Sequence, residues 1–407
     1  MKKILFVGMA QSVHLQRWIS QIEDQGWEIH LFPSMDIGFV HPNMRHVIVH
    51  HSIYAPQPDL HESVKERGLR IGIPFVRQRL SRTFRLISRG LTIFRSHISP
   101  VYRVNALERV IKRVKPDVVH AVEFQHGAYL ALQVKERMGD QFPPWMVTNY
   151  GNDIFLFGRL AEHQARVKAV LEHCDYYTSE CERDVDLART MGLQGKVMPV
   201  VPNVGGVDQA YLSTIPRVDP PSIRRQIMLK GYQHFSGRAL NGLQAIRQCA
   251  DILHDYHFLI YSASHDVKVA VELCRQDTGL QIELMPTLSH QEMLEQFGKS
   301  RIYMGLSISD GISISSLDAL VMGALPIQSF TACSDEWLEN GISGLIVPPE
   351  DVNAIAEALR HAVEDDAFVD HAAEINKQTT LVRLNKEEIQ TKIVGMYQQV
   401  FDETQHE

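Results

Sequence analysis

The chain alternates short apolar runs with longer amphipathic stretches, and this alternation most restricts its fold. Ile4–Gly8, Glu28–Phe32 and Asp117–Ala121 have the length and composition of buried strands. Stretches such as Val13–Gln25, which we expect Gly26 to end, have the pattern of a helix. Strands that alternate with helices indicate a parallel sheet with crossover helices. We therefore predict an α/β fold of doubly wound, Rossmann-like sheets.

The predicted strands form two series. The first continues through 46–50, 145–149, 176–178 and 197–201; the second comprises 227–229, 257–261, 281–284, 302–306, 325–328 and 345–347. Pro and Gly cluster between them, at 202–222, as in a linker. Further helices are expected at 352–364 and 386–401. We predict one domain at 1–205, a second at 206–385, and a C-terminal helix at 386–407 as a candidate to return to the first domain. Two such domains would face each other across a cleft that suits a two-substrate reaction.

Composition excludes several classes of protein. The formal net charge of -7 argues against a nucleic-acid-binding protein. The five cysteines are scattered without C-x-x-C spacing, which fits buried thiols in a reducing cytosol rather than disulfides or zinc ligands. We find no run of roughly 18 apolar residues, so a cytoplasmic protein is expected. The turn after the first strand, 8–12, lacks G-x-G-x-x-G, which argues against a dinucleotide cofactor.

The most informative segment follows the strand at 302–306. It reads DGISISSLD from Asp310 to Asp318 and continues as ALVMGALPIQS. We predict a glycine turn and then a helix whose first turn can bind phosphate oxygens through its free N–H groups. One carboxylate precedes that helix and the other lies inside it. Because carboxylates and phosphates are both negatively charged, these acids would repel a phosphate. They are better suited to accept hydrogen bonds from hydroxyl groups of a sugar and a ribose.

This segment resembles the retaining GT-B glycosyltransferases of family four, whose signature is E-G-F-G-L-x-x-L-E-A-M-A-x-G-x-P-V. Asp310 and Asp318 stand at the two Glu positions, and GALPI (323–327) matches the close of the signature. The later GISGLIVPP (341–349) also matches the family pattern. The resemblance implies that Asp310 binds donor-sugar hydroxyls and Asp318 the ribose. Further donor-binding residues would be Gly311, Ile312, Ser313 and Ile314.

The resemblance also implies cations for the leaving diphosphate. We expect Lys230, at a strand end, and Arg238, before the next helix, to supply them, in exchanged order relative to the family. Pro286 and Leu288 stand where relatives hold the base, although a plain turn and helix cap explains them as well. We expect no cofactor and no metal, since the only D-x-D (184–186) lies in a predicted helix.

The first domain resembles the family less closely. Ser12, His14, Gln125 and Asn149 are the acceptor-side candidates. Val122 occupies the position of a family histidine, and His126 could substitute for it from the same loop. Asp153 is a candidate to take the acceptor proton; the alternatives are a structural histidine and a capping aspartate.

Residues 65–115 are strongly basic, with fourteen Lys or Arg against two Glu between Val64 and Pro116. Arg82, Arg85 and Arg89 share a helical face. One interpretation is docking on an anionic membrane, at the inner face of the membrane. A solvated face or a subunit contact is an equal alternative.

Together these features predict a retaining glycosyltransferase. It would move a sugar from a nucleoside diphosphate sugar to a hydroxyl of a glycan, glycolipid or protein-linked acceptor, in cell-surface glycan or glycolipid synthesis. Alternatives of the same architecture are a nucleotide-sugar epimerase and a sugar phosphorylase. The Asp-for-Glu changes and Val122 also leave open a non-catalytic binding or assembly partner.

Overall fold

A computed structural model describes residues 1–35, 39–51, 68–71, 90, 101–202 and 205–404. The chain divides into two compact units. The N-terminal unit comprises Met1–Gly205 together with Glu387–Glu407, and the C-terminal unit comprises Gly206–Lys386. Each unit is built around its own parallel sheet.

The sheet of the N-terminal unit has the order β4-β3-β2-β1-β5-β6-β7-β8 in the described part of the chain. Its strands are β1 Lys3–Gly8, β2 Glu28–Pro33, β3 Ile48–Val49, β4 Arg70–Ile71, β5 Val118–Val122, β6 Trp145–Asn149, β7 Tyr176–Ser179 and β8 Lys196–Val197. Neighbouring strands are parallel; Ile4 of β1, for example, pairs with Ile29 and Val118 on either side. The central strands are buried on both faces, which explains their continuous apolar sequences.

Helices cover this sheet. They are α1 Val13–Ser20, α2 Val101–Val114, α3 Tyr129–Met138, α4 Ala161–His173, α5 Glu182–Thr190 and, from the end of the chain, α13 Lys386–Glu403. Tyr397 of α13 lies buried against the sheet. Its hydroxyl accepts a hydrogen bond from Trp18 Nε1 (2.8 Å) and lies 2.7 Å from His120 Nδ1. These buried polar contacts fix the last helix in the N-terminal unit.

The sheet of the C-terminal unit has the order β11-β10-β9-β12-β13-β14. Its elements are α6 Gln209–Leu212, β9 Gln226–Lys230, α7 Ala239–Gln248, β10 His257–Tyr261, α8 His265–Thr278, β11 Gln281–Leu284, α9 His290–Lys299, β12 Ser300–Gly305, α10 Ile314–Val321, β13 Leu325–Ser329, β14 Leu345–Val347, α11 Val352–Glu364 and α12 Asp366–Arg383. A core of aliphatic side chains from β9, β10, β12 and the flanking helices lies between the layers. The central strands β9 and β12 are adjacent and parallel, so their carboxyl ends meet at one edge.

The predicted strands are found in both units, and four of them (145–149, 257–261, 281–284 and 345–347) have the predicted bounds. The first helix was predicted too long, because α1 ends at Ser20 rather than Gln25. The N–H of Gln21 bonds to carbonyls of the preceding turn, and the chain then turns through Gly26, whose φ is +70°. The sequence also gave no prediction for α12, which follows α11 after a single residue.

The described end of the basic stretch is packed into the N-terminal unit. Helix α2 buries Leu107 and Ile111 in the core. Arg103 donates to the carbonyl of Pro33, and its guanidinium lies 4.4 Å from the centroid of the Phe32 ring. The face with Arg82, Arg85 and Arg89 lies outside the described residues. Among the described residues no helix combines the length and the apolar character that crossing a membrane requires.

Candidate functional site

Lys230 and Asp310 meet at the carboxyl edge of the C-terminal sheet. Lys230 is the last residue of β9, and Asp310 follows β12, the adjacent strand. The Lys230 ammonium lies 3.6 Å from Asp310 Oδ2 and donates a hydrogen bond to Ser313 Oγ at 3.3 Å. The structure therefore brings together three residues that the sequence had singled out.

The ammonium is stabilised although it is half-buried. Burial disfavours the charged form, but Asp310, Tyr303 and Tyr232 favour it, and the pKa of Lys230 is raised above its ordinary value. Tyr261, the register partner of Lys230, lies beside Tyr303 with 3.3 Å between their hydroxyl oxygens. Lys230 therefore keeps its positive charge, next to the buried hydroxyl groups of Tyr261 and Tyr303.

Ser313 is the N-cap residue, directly before the first residue of α10. Its backbone is extended (φ −63°, ψ 131°), and its hydroxyl does not cap the helix but accepts from Lys230. The first N–H groups of a helix have no acceptor within the helix, and the helix dipole makes that end positive. Gly311 and Ile312 are buried and lead into this end. Lys230 and the start of α10 thus bring a cation and the positive end of a helix to one point, an arrangement that suits an anion.

Asp318 lies one turn into α10 and contacts a histidine that the sequence reasoning missed. His290 Nε2 lies 3.1 Å from Asp318 Oδ2 and 3.2 Å from Oδ1. The carboxylate is mostly buried, whereas 49% of the histidine side chain is exposed. The two residues are 28 positions apart, and only the adjacency of α9 and α10 brings them together.

The loop before α9 has a clear structural role. Ser289 caps α9 in a capping box with Glu292, as the turn-and-cap alternative predicts. Pro286 is exposed and Leu288 half-buried in the same loop. Their role in base binding remains a prediction.

Arg238 has a different partner from the one that the sequence suggested. It precedes α7 at the carboxyl edge of the sheet, as predicted. Its Nε lies 2.6 Å from Glu350 Oε1, in the loop before α11. Asn241 also donates to Glu350, at 3.3 Å. In this structure the Arg238 guanidinium is thus held by a carboxylate.

In the N-terminal unit, Glu123 organises the loop after β5. Its backbone has φ +67°, and its carboxylate accepts from the N–H groups of His126 (3.1 Å) and Gly127 (2.6 Å). His126 Nδ1 lies 3.2 Å from the same carboxylate. The hydrogen bond to Glu123 raises the pKa of His126, and 47% of that side chain is exposed. A positive φ at a non-glycine residue is strained and is held only by such contacts.

Asp153 is buried behind this loop. Its Oδ2 accepts from the N–H groups of Tyr150 (2.9 Å) and Phe124 (3.2 Å). Burial and the nearby Glu123 carboxylate raise the pKa of Asp153 well above its ordinary value. Gln125 donates to the Asp153 carbonyl oxygen at 3.3 Å. These contacts give Asp153 a structural role between two loops rather than that of a cap for the segment that follows, and its role as a base remains a prediction.

The other acceptor-side candidates lie at the carboxyl ends of β1 and β6. Ser12 caps α1 by accepting from the His14 N–H at 3.2 Å. The ring of His14 lies 5.1 Å from that of Tyr150. Asn149 is fully buried and donates to Asp184 Oδ2 at 2.9 Å, which indicates a structural role for its amide nitrogen.

The remaining sequence features have structural explanations. The D-x-D pair lies in helix α5, as predicted, with Asp184 buried and Asp186 exposed. The two carboxylates are therefore in different environments. The five cysteines are free and buried, as their scatter predicts.

Comparison with known proteins supports the fold and identifies a family match in one unit. Residues 237–365, in the C-terminal unit, match the family model described as Glycosyl transferases group 1. The whole chain is similar to sucrose-phosphate synthase from Thermosynechococcus elongatus, with 15% identity, 99% of this chain and 100% of that chain covered, and a TM-score of 0.68. The chain has the GT-B fold and contains a segment that matches a glycosyltransferase family.

Two further solved structures share this fold. HepE from Anabaena, in complex with UDP-glucose, has 10% identity over 98% of this chain and 100% of its own, with a TM-score of 0.67. A glycosyltransferase from Rickettsia africae has 14% identity over 98% of both chains, with a TM-score of 0.62. The search of curated proteins found no match.

Proposed function

We propose that this glycosyltransferase transfers a sugar from a nucleoside diphosphate sugar to an acceptor hydroxyl, with retention of anomeric configuration. The observation that carries the proposal is the position of Lys230 between Asp310 and Ser313, at the start of α10. A cation and a helix N-terminus at the same point suit a pyrophosphate. The neighbouring carboxylates suit the hydroxyl groups that such a donor carries.

The leaving diphosphate gains negative charge as the glycosidic bond breaks. Lys230 and the first N–H groups of α10 would stabilise that charge through preorganised contacts, which is where catalysis gains most. Because the ammonium is held by Asp310 and Ser313 before the donor arrives, little reorganisation is needed. The reaction as proposed therefore requires no resident metal ion.

Arg238 is the second cation of the proposal. It has to exchange Glu350 for the diphosphate, and the Glu350 side chain is 60% exposed. Exposed ion pairs contribute only about 0–1 kcal/mol. A doubly charged ligand can therefore compete with Glu350 for the guanidinium.

The two carboxylates would orient the donor on either side of the diphosphate. Asp310 accepts from hydroxyl groups of the sugar, and Asp318 from those of the ribose. Both side chains are partly shielded from water, which strengthens such hydrogen bonds. Aspartate is one methylene shorter than the glutamate of the family signature, so the donor would bind closer to the backbone.

On the acceptor side, the exposed His126 is the best-placed group to contact the substrate. Its contact with Glu123 fixes the ring and favours the imidazolium. An imidazolium can donate to an oxygen of the transferred sugar or of the acceptor. Retention, the acceptor class and a role in cell-surface glycan or glycolipid synthesis follow from the family resemblance.

A donor panel tests the proposal. UDP-, GDP-, ADP- and dTDP-linked sugars are incubated with the enzyme and a mixture of glycan and glycolipid acceptors, and products are identified by mass. UDP-sugars come first because HepE is in complex with UDP-glucose. We expect transfer from one donor class, and about 100-fold less from Asp310→Asn. Release of free sugar alone, phosphate-dependent turnover, or binding of no donor would contradict the proposal.

The membrane role of 65–115 is a separate part of the proposal. Sedimentation with vesicles of phosphatidylserine and phosphatidylcholine, at low and high salt, tests it. We expect binding that salt weakens, because the attraction is electrostatic. Absence of binding to anionic vesicles at low salt would end this part of the proposal.

A further inference from the structure

The loop between β9 and α7 carries aromatic rings that lead from Lys230 to the surface. The Lys230 ammonium lies 4.7 Å from the centroid of the Tyr232 ring. That ring lies 5.0 Å from the ring of His234, which lies 4.8 Å from that of Phe235. Tyr232 is 38% exposed to solvent and Phe235 is 58% exposed. We call Tyr232, His234 and Phe235 the aromatic ladder.

The backbone of this loop is held at both ends. The Gly231 N–H donates to the Tyr261 carbonyl at 2.8 Å, and the Ile308 N–H donates to the Ser236 carbonyl at 2.8 Å. Gly237 lies against the backbone of the loop so closely that a Cβ would collide with it. The rings are therefore exposed on a segment whose conformation is already fixed. Such preorganisation lowers the entropy cost of binding a ligand.

The ladder is aromatic and uncharged near neutral pH. Burial and the positive charge of Lys230 lower the pKa of His234, so its ring is neutral at pH 7. Neutral aromatic rings bind flat, partly apolar ligands such as the C–H face of a pyranose. They offer nothing to a phosphate, which Lys230 attracts at the inner end of the ladder.

The position of the ladder decides which part of the substrates it meets. In the proposed function, Asp318 takes the ribose, Lys230 the diphosphate and Asp310 the donor sugar. The ladder starts at Lys230 and becomes more exposed outwards. The donor base is assigned to Pro286 and Leu288, so every part of the donor has a partner elsewhere and the group left for the ladder is the acceptor.

We propose that the aromatic ladder binds a pyranose ring of the acceptor and so makes this enzyme a transferase for carbohydrate acceptors. This inference rests on the proposed function. It predicts that Phe235, which the family signature does not include, determines acceptor affinity.

Saturation-transfer NMR tests the ladder without relying on turnover. The probes are methyl pyranosides of glucose, galactose, mannose and N-acetylglucosamine, each with and without UDP. We expect transfer to ring C–H protons of at least one pyranoside. Phe235→Ala should lower its affinity about fivefold, whereas Phe235→Trp should retain it. Tyr211→Ala, in which a ring with 39% exposure is removed elsewhere in the same unit, is the matched control.

The outcomes separate this inference from the proposed function. If UDP binds but no pyranoside shows transfer, or if Phe235→Ala binds pyranosides as the wild type does, the ladder proposal is wrong. Loss of UDP binding in Phe235→Ala would assign the ladder to the nucleotide and also overturn the proposal. If pyranosides bind through Phe235 while nucleotides do not bind at all, the ladder stands and the proposed donor is wrong.

Discussion

At the scale of residues, the site depends on pairs that meet only after folding. Lys230 and Asp310 are 80 positions apart and still lie 3.6 Å from each other. The pairing follows from the adjacency of β9 and β12, which places both residues at one sheet edge. The sequence singled out each residue separately, and the fold explains why they lie together; their role in catalysis remains a prediction.

His290 offers a test of the Asp318 assignment. If Asp318 binds the ribose and His290 orients it, His290→Ala should weaken UDP binding about 3- to 10-fold through loss of one hydrogen bond. Binding of 2′,3′-dideoxy-UDP should be unaffected, since that ligand lacks the hydroxyl groups. Isothermal titration of both nucleotides measures the difference, and His254→Ala, an exposed histidine, is the control. An equal loss for both nucleotides would show that His290 acts on another part of the ligand.

His126 should make stability depend on pH. Its pKa is raised in the folded protein, so its contact with Glu123 stabilises the fold below the ordinary value of 6.5. The stabilisation is lost as the pH rises through the raised pKa. We expect His126→Gln to lower the urea midpoint at about pH 5.5 and to have little effect at about pH 9. A difference that is the same at both pH values would show that the imidazolium is not involved.

The sequence could not predict two of the residue contacts. Arg238 is 112 positions from Glu350, and nothing local indicates that an acid before α11 reaches it. Asn149 was expected to face an acceptor, but burial turns its amide nitrogen to Asp184. In both cases a residue distant in sequence determines the orientation of the side chain. A sequence motif shows only which residue is present, not which partner it contacts.

At the scale of elements, strands were predicted better than helix ends. Buried parallel strands are continuous apolar runs, which are readable from sequence. The end of α1 was missed because the turn after Ser20 is still amphipathic, and only backbone hydrogen bonds show the change. Helix α12 was missed because one residue separates it from α11. The short π-helix at Phe124–Ala128, after β5, was not predicted from the sequence.

That π-helix is the element that positions His126, and it needs a glycine. A Cβ at Gly127 would lie 2.6 Å from the Val7 carbonyl oxygen and 2.7 Å from that of Val122. Gly127→Ala should therefore reduce the free energy of unfolding by about 1–3 kcal/mol. In Gly395→Ala no atom lies within 4 Å of the new Cβ, and a helical Ala is favourable by about 0.5–1 kcal/mol. Urea denaturation measures both variants, and equal behaviour would refute the packing argument.

At the scale of the whole molecule, the last helix completes the first unit. Residues 387–407 belong with Met1–Gly205, although 181 residues of the C-terminal unit lie between them. The Tyr397 hydroxyl joins Trp18 to His120, and burial lowers the pKa of His120 to about 3, so this ring is neutral. Truncation within α13 would thus remove part of the N-terminal core rather than a free tail.

Tyr397→Phe tests this arrangement. It leaves the Trp18 N–H and a His120 nitrogen without their partner, which should cost about 1–3 kcal/mol. Calorimetry should show a lower Tm for the transition of the N-terminal unit only. Tyr211→Phe, on an exposed tyrosine of the C-terminal unit, is the control. An unchanged Tm for the N-terminal unit would mean that these hydrogen bonds contribute nothing.

The central claim is that Lys230 and the start of α10 bind the pyrophosphate of a nucleotide donor. Calorimetric titration of UDP, GDP, ADP and dTDP into wild type and Lys230→Gln tests it most directly. We predict that one of these diphosphates binds the wild type and that Lys230→Gln weakens this binding at least tenfold, while the matching nucleoside monophosphate loses less. Equal binding by both proteins, or no binding of any diphosphate to the wild type, would contradict the claim.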